Sequence, residues 1–519
     1  MNSSRPNVLV LLSDQHNRRI AGFAGSPIAH TPNLGRLAAE SVRFENAYCQ
    51  FPLCTPSRIS MWTGRLPHLC GAWGNNSPIA PEYLTMPEHF ERHGYVTCGV
   101  GKMHVGGERP MNGFMYRPYG DLIPNCFCGH QPDPVRTAKD QEWTRHDIGH
   151  FPFAGVSEVP EEMMQDAVVT REALSFIEEH SASNPDQPWF VCASYQRPHH
   201  PFTAPRRHFE RFWPDGPEMP PLPQGFPDAV HPHDRFIVDD YHLLDFSPEQ
   251  RRKCLAAYYA SVSFLDECIG RLLDGLKQSG QLQNTVIVYT SDHGDMMGEH
   301  GLWWKRSYYD GSAAVPLLIR IPAQQSDHGV ILREAKNLSA QSEILRFPQN
   351  DRRDSGVGMT DFVELLDLFP TLCDLAGLPH PQGLDGESLI RERTKTFARS
   401  EHIARMETAF RMIRTSEWKY VEFPEYPPVL FDMVSDPGEE RNIAHLPEYD
   451  TVADEMRRRL WEDGESFEKL MSARQEDRER MRNEFPVRCD RTPNQYALPT
   501  GELIDAEASL YGPYLERDR

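Results

Sequence analysis

Asn7-Val-Leu-Val-Leu-Leu-Ser-Asp-Gln15 sets the fold. Val8 to Leu12 is a short continuous apolar run, as expected of a strand buried on both faces, and it stops abruptly at Ser13-Asp14-Gln15. The same pattern returns at Thr285 to Thr290, which stops at Ser291-Asp292-His293. Two buried strands thus deliver a carboxylate and polar neighbours where they terminate. In parallel sheets ligands bind at that carboxyl edge.

Working outward, strands and helices alternate, which is the α/β signature. A helical pattern is predicted from Thr31 to Ser41 and another from Met86 to His93, followed by a strand over Val96 to Val100 and a loop from Lys102. Glu162 to His180 reads as an amphipathic helix, Trp189 to Ser194 as a strand, and Ser247 to Ser279 as a long helix broken once. Val315 to Ile321 is a further strand and Thr360 to Ala376 a further helix. Past Thr396 the chain turns to short alternating strands, Phe410 to Thr415, Trp418 to Phe423 and Val429 to Met433, then a helix over Glu448 to Trp461. The expected division is a large α/β domain over 1–395, with surface insertions at about 107–161 and 202–240, and a small antiparallel α+β unit with a tail over 396–519.

Composition narrows the functional classes. The 519 residues carry 54 Lys+Arg against 75 Asp+Glu, a net charge of −21, which opposes general binding to nucleic acid or anionic membranes. An anionic substrate therefore needs a local positive pocket. No apolar run approaches the roughly 20 residues of a membrane helix, and the N-terminal run lacks a cleavage site, so a cytoplasmic protein is expected. The 11 cysteines are scattered outside paired metal-ligand spacings, which favours a reducing compartment. Cys126 and Cys128 are read as loop thiols, and the aromatics Trp143 and Trp213 as packing. The charged tail hints at assembly into a homo-oligomer.

The residues with chemistry to offer lie at predicted strand ends and loops. Asp14, Gln15, Asp292 and His293 supply two carboxylates, an amide oxygen and an imidazole, a set that suits calcium, magnesium or manganese more than zinc. Single strand-end aspartates usually cap the next turn, whereas the pair favours one divalent metal. Cys54-Thr-Pro-Ser-Arg58 opens a predicted helix, with Thr55 and Ser57 able to cap it, and places a thiol beside an arginine and a helix N-terminus. Lys102 and His104 in Gly-Lys-Met-His, and Lys305 in Trp-Trp-Lys, add positive charge near these ends. His199 and His200 follow a strand and are confined by flanking prolines; a histidine there can protonate a leaving oxygen near neutral pH.

These positions together resemble the type I sulfatases of the alkaline phosphatase superfamily. The resemblance spans nearly the whole chain: Asp14-Gln15 after the first strand, Cys54 to Arg58, Thr63-Gly64-Arg65, Gly101 to His104, Pro198 to Pro201, Ser291 to Gly294, and Leu430-Phe431-Asp432 with Asp436-Pro437. Within the family, Tyr48-Cys-x-x-Pro-Leu-Cys-x-Pro-Ser-Arg58, Gly-Lys-Met-His and Gly294-Asp295-Met296-x-Gly298-Glu299 are most similar to choline sulfatases, and Arg197-Pro198-His199 to phosphonate monoester hydrolases. The resemblance implies an alkaline phosphatase-like fold with a mostly parallel central sheet flanked by helices. It also implies oxidation of Cys54 to formylglycine by a formylglycine-generating enzyme. A hydroxyl of the hydrated aldehyde, activated by a divalent metal, calcium first, would take the sulfuryl group, and the second hydroxyl would expel sulfate.

Carried over, Asp14, Gln15, Asp292, His293 and the modified Cys54 match the metal ligands. Arg58 would hold the formylglycine, Lys102 and His104 would assist the diol, and Lys305 with His199 would bind sulfate oxygens and help the alcohol leave. Asn75 and His200 would contact the substrate, a small-molecule or saccharide sulfate ester. Many sulfatases have two aspartates at Asp14-Gln15 and Asp-Asn at Asp292-His293, so phosphonate monoester or phosphodiester hydrolysis at the same site is the alternative within enzymes. A non-catalytic binding homologue is the alternative outside them.

Overall fold

A computed structural model of the chain describes residues 5–75, 77–105, 111–120, 154–322, 357–484, 495–497 and 503–505. Most of the insertion expected at 107–161, with Cys126, Cys128 and Trp143, and nearly all of the tail beyond 484 lie outside the described residues.

The first apolar run is an interior strand of a 7-stranded sheet, beside the central strand formed by the second run. Its members are β1 (Asn7–Asp14), β2 (Val42–Tyr48), β3 (Val96–Gly101), β4 (Trp189–Pro198), β5 (Thr285–Ser291), β6 (Leu317–Arg320) and β7 (Val357–Glu364), in the order β3-β4-β1-β5-β6-β2-β7. All pairings are parallel except those of β6, which is antiparallel to both neighbours. Alternation explains the apolar run. Val8, Val10 and Leu12 pack with Met61 and Trp62 of α2 (Cys54–Thr63), Phe90 of α3 (Met86–Arg92) and Leu372 on one face. Leu9 and Leu11 pack on the other, with Leu37 of α1 (Pro32–Ala39), Ile177 of α4 (Gln165–Ser183) and Leu272 of the long helix Pro248–Gln278. A strand covered by helices on both sides has no polar face, so its sequence shows none.

Two expectations need correction, and one strand was not expected at all. The long helix is unbroken, and its start is fixed by a capping box between Ser247 and Gln250. Thr360 to Glu364 is strand: β7 pairs with β2 in parallel, and helix begins only after it, as a 3-10 turn over Leu365–Asp367 that runs into an α-helix at Leu368. β2 itself has no clear signal, because it alternates buried Val42 and Phe44 with the polar Arg43 and Glu45.

The second sheet is an antiparallel meander of β8 (Ala398–His402), β9 (Phe410–Arg414), β10 (Trp418–Glu422) and β11 (Val429–Asp432). One face carries Ile413, Tyr420 and Leu430 against Met456 and Leu460 of the helix Asp450–Leu460. The other carries Met412, Val421 and Phe431 into a cluster with Trp303 and Tyr308, the segment on either side of Lys305. A charged knot fastens the contact. Lys419 Nζ on β10 lies 2.8 Å from Asp310 Oδ1 and also pairs with Glu439, and none of the three side chains is more than 1% exposed. Arg18 reaches the other Asp310 oxygen at 2.5 Å.

Removing one partner of a buried ion set leaves the others uncompensated, which costs about 3–5 kcal/mol. Lys419→Ala is therefore expected to lower the urea midpoint of unfolding far more than removal of an exposed pair such as Arg206–Glu210, whose side chains are 71% and 61% exposed. Equal midpoints for the two variants would show that the knot contributes no stability.

Candidate active site

Because β1 and β5 run parallel in register, with Ser13 opposite Ser291, the two Ser-Asp endings stand side by side. The chain leaves each strand sharply. Gln15 adopts φ 68°, a left-handed conformation costly for a residue with a side chain, and its backbone N–H donates to Asp292 Oδ1 at 3.0 Å. Asp14, Gln15, Asp292 and His293 are all fully buried.

α2 points its N-terminus at this pair. Thr55 and Ser57 do not cap it: the N-cap is Leu53, without a side-chain bond. Thr55 Oγ1 instead donates to the carbonyls of Asn75, at 3.2 Å, and His104, while Ser57 Oγ donates to the Asp292 carbonyl. These bonds tie the helix start to three loops. Asn75 contributes its side-chain oxygen as well, accepting from Thr55 N at 3.2 Å.

Arg58, one turn into α2, bridges the strand ends. Its Nη2 donates to Asp14 Oδ2 at 3.0 Å and its Nε to Asp292 Oδ2 at 2.8 Å. Its Nη1 donates to the carbonyl of Lys102 and, at 3.0 Å, to Ser194 Oγ at the end of β4. Lys102 sits 2.5 Å from Asp14 Oδ2. It is placed by Gly101, whose φ of +87° and approach to the Ser194 carbonyl, 2.1 Å from where a Cβ would stand, admit only glycine.

Cys54 lies at the centre, with no exposure. Its Sγ is 3.1 Å from Lys305 Nζ, 3.2 Å from His293 Nε2 and 3.8 Å from Asp14 Oδ1. Burial alone would push its thiol up, but Lys305, Lys102 and His293, with a hydrogen bond from His104, outweigh that and hold it well below the usual range. Lys305 also donates to Gln15 Oε1 at 2.8 Å and to His199 Nε2 at 2.9 Å. His199 gives its Nδ1 proton to the His200 carbonyl at 2.7 Å, so Nε2 is the acceptor. Burial, with Lys102 and Lys305 nearby, keeps it neutral, its pKa well below the usual histidine value. His200 stands one ring further out, its centroid 3.9 Å from that of His199.

The donor set fits a divalent cation. One ligand atom from each of Asp14, Cys54, Asp292 and His293 lies within 4.8 Å of the others. Arg58 occupies one oxygen of each carboxylate; Asp14 Oδ1 lies on the Cys54 side, while Asp292 Oδ1 accepts the backbone N–H groups of Gln15 and His293. His293 donates Nδ1–H to the Gly294 carbonyl at 2.8 Å, which turns Nε2 toward Cys54. Burial lowers the His293 imidazole, but Asp292 and the Cys54 thiolate outweigh it and raise it, so a cation taking Nε2 displaces a proton.

Asp295 was not among the expected site residues. One of its oxygens accepts the Gln15 amide N–H at 2.5 Å, and the other accepts the backbone N–H groups of Met297, at 3.1 Å, and Trp304, at 2.8 Å. It thereby turns the Gln15 oxygen toward Lys305 Nζ and anchors the segment that carries Lys305. Burial raises its carboxyl to about 6. Its trace in the sequence is its place in the motif Gly294-Asp295-Met296-x-Gly298-Glu299, three positions after Asp292. Tyr258 of the long helix supports the same turn, donating to the Gln15 carbonyl at 2.6 Å.

A buried thiol at a helix N-terminus, beside two carboxylates and three cationic side chains at the carboxyl edge of a mostly parallel sheet, suits the binding of an anionic ester. A family model described as Sulfatase matches residues 6–378, and one described as N-sulphoglucosamine sulphohydrolase, C-terminal, matches 341–466. The chain belongs to the sulfatase family and is a sulfuric ester hydrolase. It is 33% identical over 461 residues to a choline-sulfatase from Rhizobium meliloti (strain 1021), covering 86% of this chain and 84% of that one. It is 33% identical over 398 residues to the iduronate 2-sulfatase of Mus musculus, covering 72% and 69%. Its fold is that of the phosphonate monoester hydrolase of Agrobacterium radiobacter, with a TM-score of 0.70 at 23% identity over 96% of this chain and 99% of the other. A protein solved with its substrate D-glucosamine-2-N,6-O-disulfate is also similar, with a TM-score of 0.65 at 21% identity, covering 94% and 100%.

Residues that hold a site's ligands in orientation typically contribute 10–100-fold. Asp295→Ala is expected to lower kcat/KM for an aryl sulfate by about that factor, with circular dichroism unchanged. Wild-type kinetics in a folded variant would remove Asp295 from the site.

Proposed function

We propose that this sulfatase works through a formylglycine formed from Cys54 by a formylglycine-generating enzyme, with one divalent cation, calcium before manganese or magnesium, and that it cleaves sulfate monoesters of a small alcohol or saccharide. The observation that carries this reading is the position of Cys54, fully buried among Asp14, His293 and Lys305 where a cation and a tetrahedral anion would meet. When bound, the cation supplies Lewis-acid activation of an oxygen nucleophile and offsets sulfate charge.

The chain's own side chains do the rest. Asp14, Gln15 and Asp292 offer oxygens and His293 a nitrogen, a mainly hard set that favours calcium. Arg58 fixes both carboxylates and neutralises their outer oxygens. Lys102 and His104 flank residue 54 on the side of β3 and serve its proton movements. Lys305 carries a proton and shares it with the acceptor nitrogen of His199, so this pair meets the sulfate oxygens and the departing alcohol oxygen. Asn75 and His200 stand at the edge of the same space and contact the substrate. The eight cysteines of the described residues are free, which supports a reducing, cytoplasmic location.

Mass spectrometry of protein from its native host is expected to find formylglycine at position 54, and Cys54→Ala to abolish aryl sulfate hydrolysis; full activity in that variant would remove the nucleophile assignment. Dialysis against a chelator should abolish activity, and calcium should restore it better than zinc. The phosphonate reading rests on motif and fold likeness, since a phosphonate monoester presents a similar tetrahedral anion. Comparison of kcat/KM on aryl sulfate and aryl phosphonate esters separates the two, and a large preference for the phosphonate would reverse the assignment.

A further inference from the structure

Any alcohol leaving this site must lie on the path from Cys54 to solvent, and the contacts trace that path. From Lys305 and His199 the next ring is His200, and its neighbour is Trp304, with centroids 5.9 Å apart. Trp304 meets Tyr241 edge-on at 4.7 Å. Arg306 lies over the Tyr241 ring at 4.2 Å from its centroid and donates Nε–H to its hydroxyl at 2.7 Å. Asp240 then takes Arg306 at 2.5 Å on one oxygen and Arg405 at 3.5 Å on the other. Side-chain exposure rises along this series, from 12% at Arg306 to 27% at Asp240 and 58% at Arg405. The series therefore leads outward.

Its chemistry is selective. Aromatic side chains close to an acidic one could cradle a quaternary ammonium group. Here the face of Tyr241 is already taken by the chain's own guanidinium, and Asp240 is shared by two arginines. Two positive charges against one negative leave the rim cationic in a chain whose net charge is −21. Such a rim repels a cationic alcohol and attracts a second anionic group.

We propose that His200, Arg306, Asp240 and Arg405, held in place by Tyr241 and the buried Trp304, form the leaving-group subsite, and that it takes an alcohol, a sugar among them, bearing a second anionic group, a carboxylate or another sulfate. This rests on the sulfate-ester reading of the catalytic centre and specifies its substrate class.

The test is a kinetic panel on the mature holoenzyme: 4-nitrophenyl sulfate, choline sulfate, a monosulfated hexose, the matching hexuronate sulfated at the same position, and a disulfated hexose. The wild type is expected to show kcat/KM at least about tenfold higher on one or both anionic sugars than on the neutral sugar or choline sulfate, the worth of one charge-assisted contact. A preference confined to the hexuronate identifies a carboxylate as the recognised group, and one confined to the disulfate a sulfate. Arg405→Glu, at an exposed position, and Arg306→Gln should each reduce that preference about tenfold, mainly through KM. A preference for choline sulfate or the neutral sugar, or a ratio unmoved by both variants, overturns the subsite while hydrolysis of 4-nitrophenyl sulfate leaves the sulfatase reading standing. If no sulfate ester is cleaved, both readings fall.

Discussion

Arg58 holds the centre of this molecule together: one fully buried guanidinium lies between the carboxylates of Asp14 and Asp292 and pairs with both. Desolvating three charges is expensive, and the arrangement is tolerable because each donor has an acceptor. The same bonds fix the register between helix and sheet. With Arg58 anchored, Cys54 one turn earlier can only face the gap between Asp14 and His293. Loss of that guanidinium would leave two like charges side by side at the bottom of the site.

Around this anchor the local charges nearly balance before any ligand arrives. Arg58, Lys102 and Lys305 face Asp14, Asp292 and a Cys54 thiol held well below its usual pKa. Replacing the thiol by a neutral group and adding a divalent cation makes the pocket strongly positive, which suits a sulfate. The backbone bears strain to build it. Gln15, His104, Trp304 and Arg306 all have positive φ, and each lies at or beside a group that faces the pocket. Such conformations cost free energy and persist where surrounding bonds over-determine them, as Asp295 and Tyr258 do for Gln15.

The second sheet has a part in the site although none of its strands reaches Cys54. Its inner face packs on Trp303 and Tyr308, and the buried set of Lys419, Asp310 and Glu439 locks the segment that follows Lys305. The loop after β8 brings Arg405 to Asp240. The residues around Cys54 come from the edge of one sheet, and the proposed rim from a helix end and two loops. That separation would let the proposed rim vary without disturbing the residues around Cys54.

The amino-acid sequence by itself determined the strand-end chemistry. Val8 to Leu12 and Thr285 to Thr290 are too apolar to be anything but buried strands, so Asp14 and Asp292 had to emerge at their ends. The helix at Cys54 to Arg58 was legible as well, although Thr55 and Ser57 bond to loop carbonyls and do not cap it. Those readings rest on neighbours in the chain, where local sterics and burial decide the outcome. Tertiary structure alone decided that the two strands are adjacent, that Thr360 to Glu364 is a strand paired with β2, and that Arg58 spans both aspartates. It also decided the work of Asp295, whose acidic character was visible but whose partners, the Gln15 amide and the Trp304 N–H, arrive only when the chain folds back. The rim shows the limit most clearly. Arg306, Asp240 and Arg405 are unremarkable charges on separate segments, and their meaning lies in distances that only long-range packing sets.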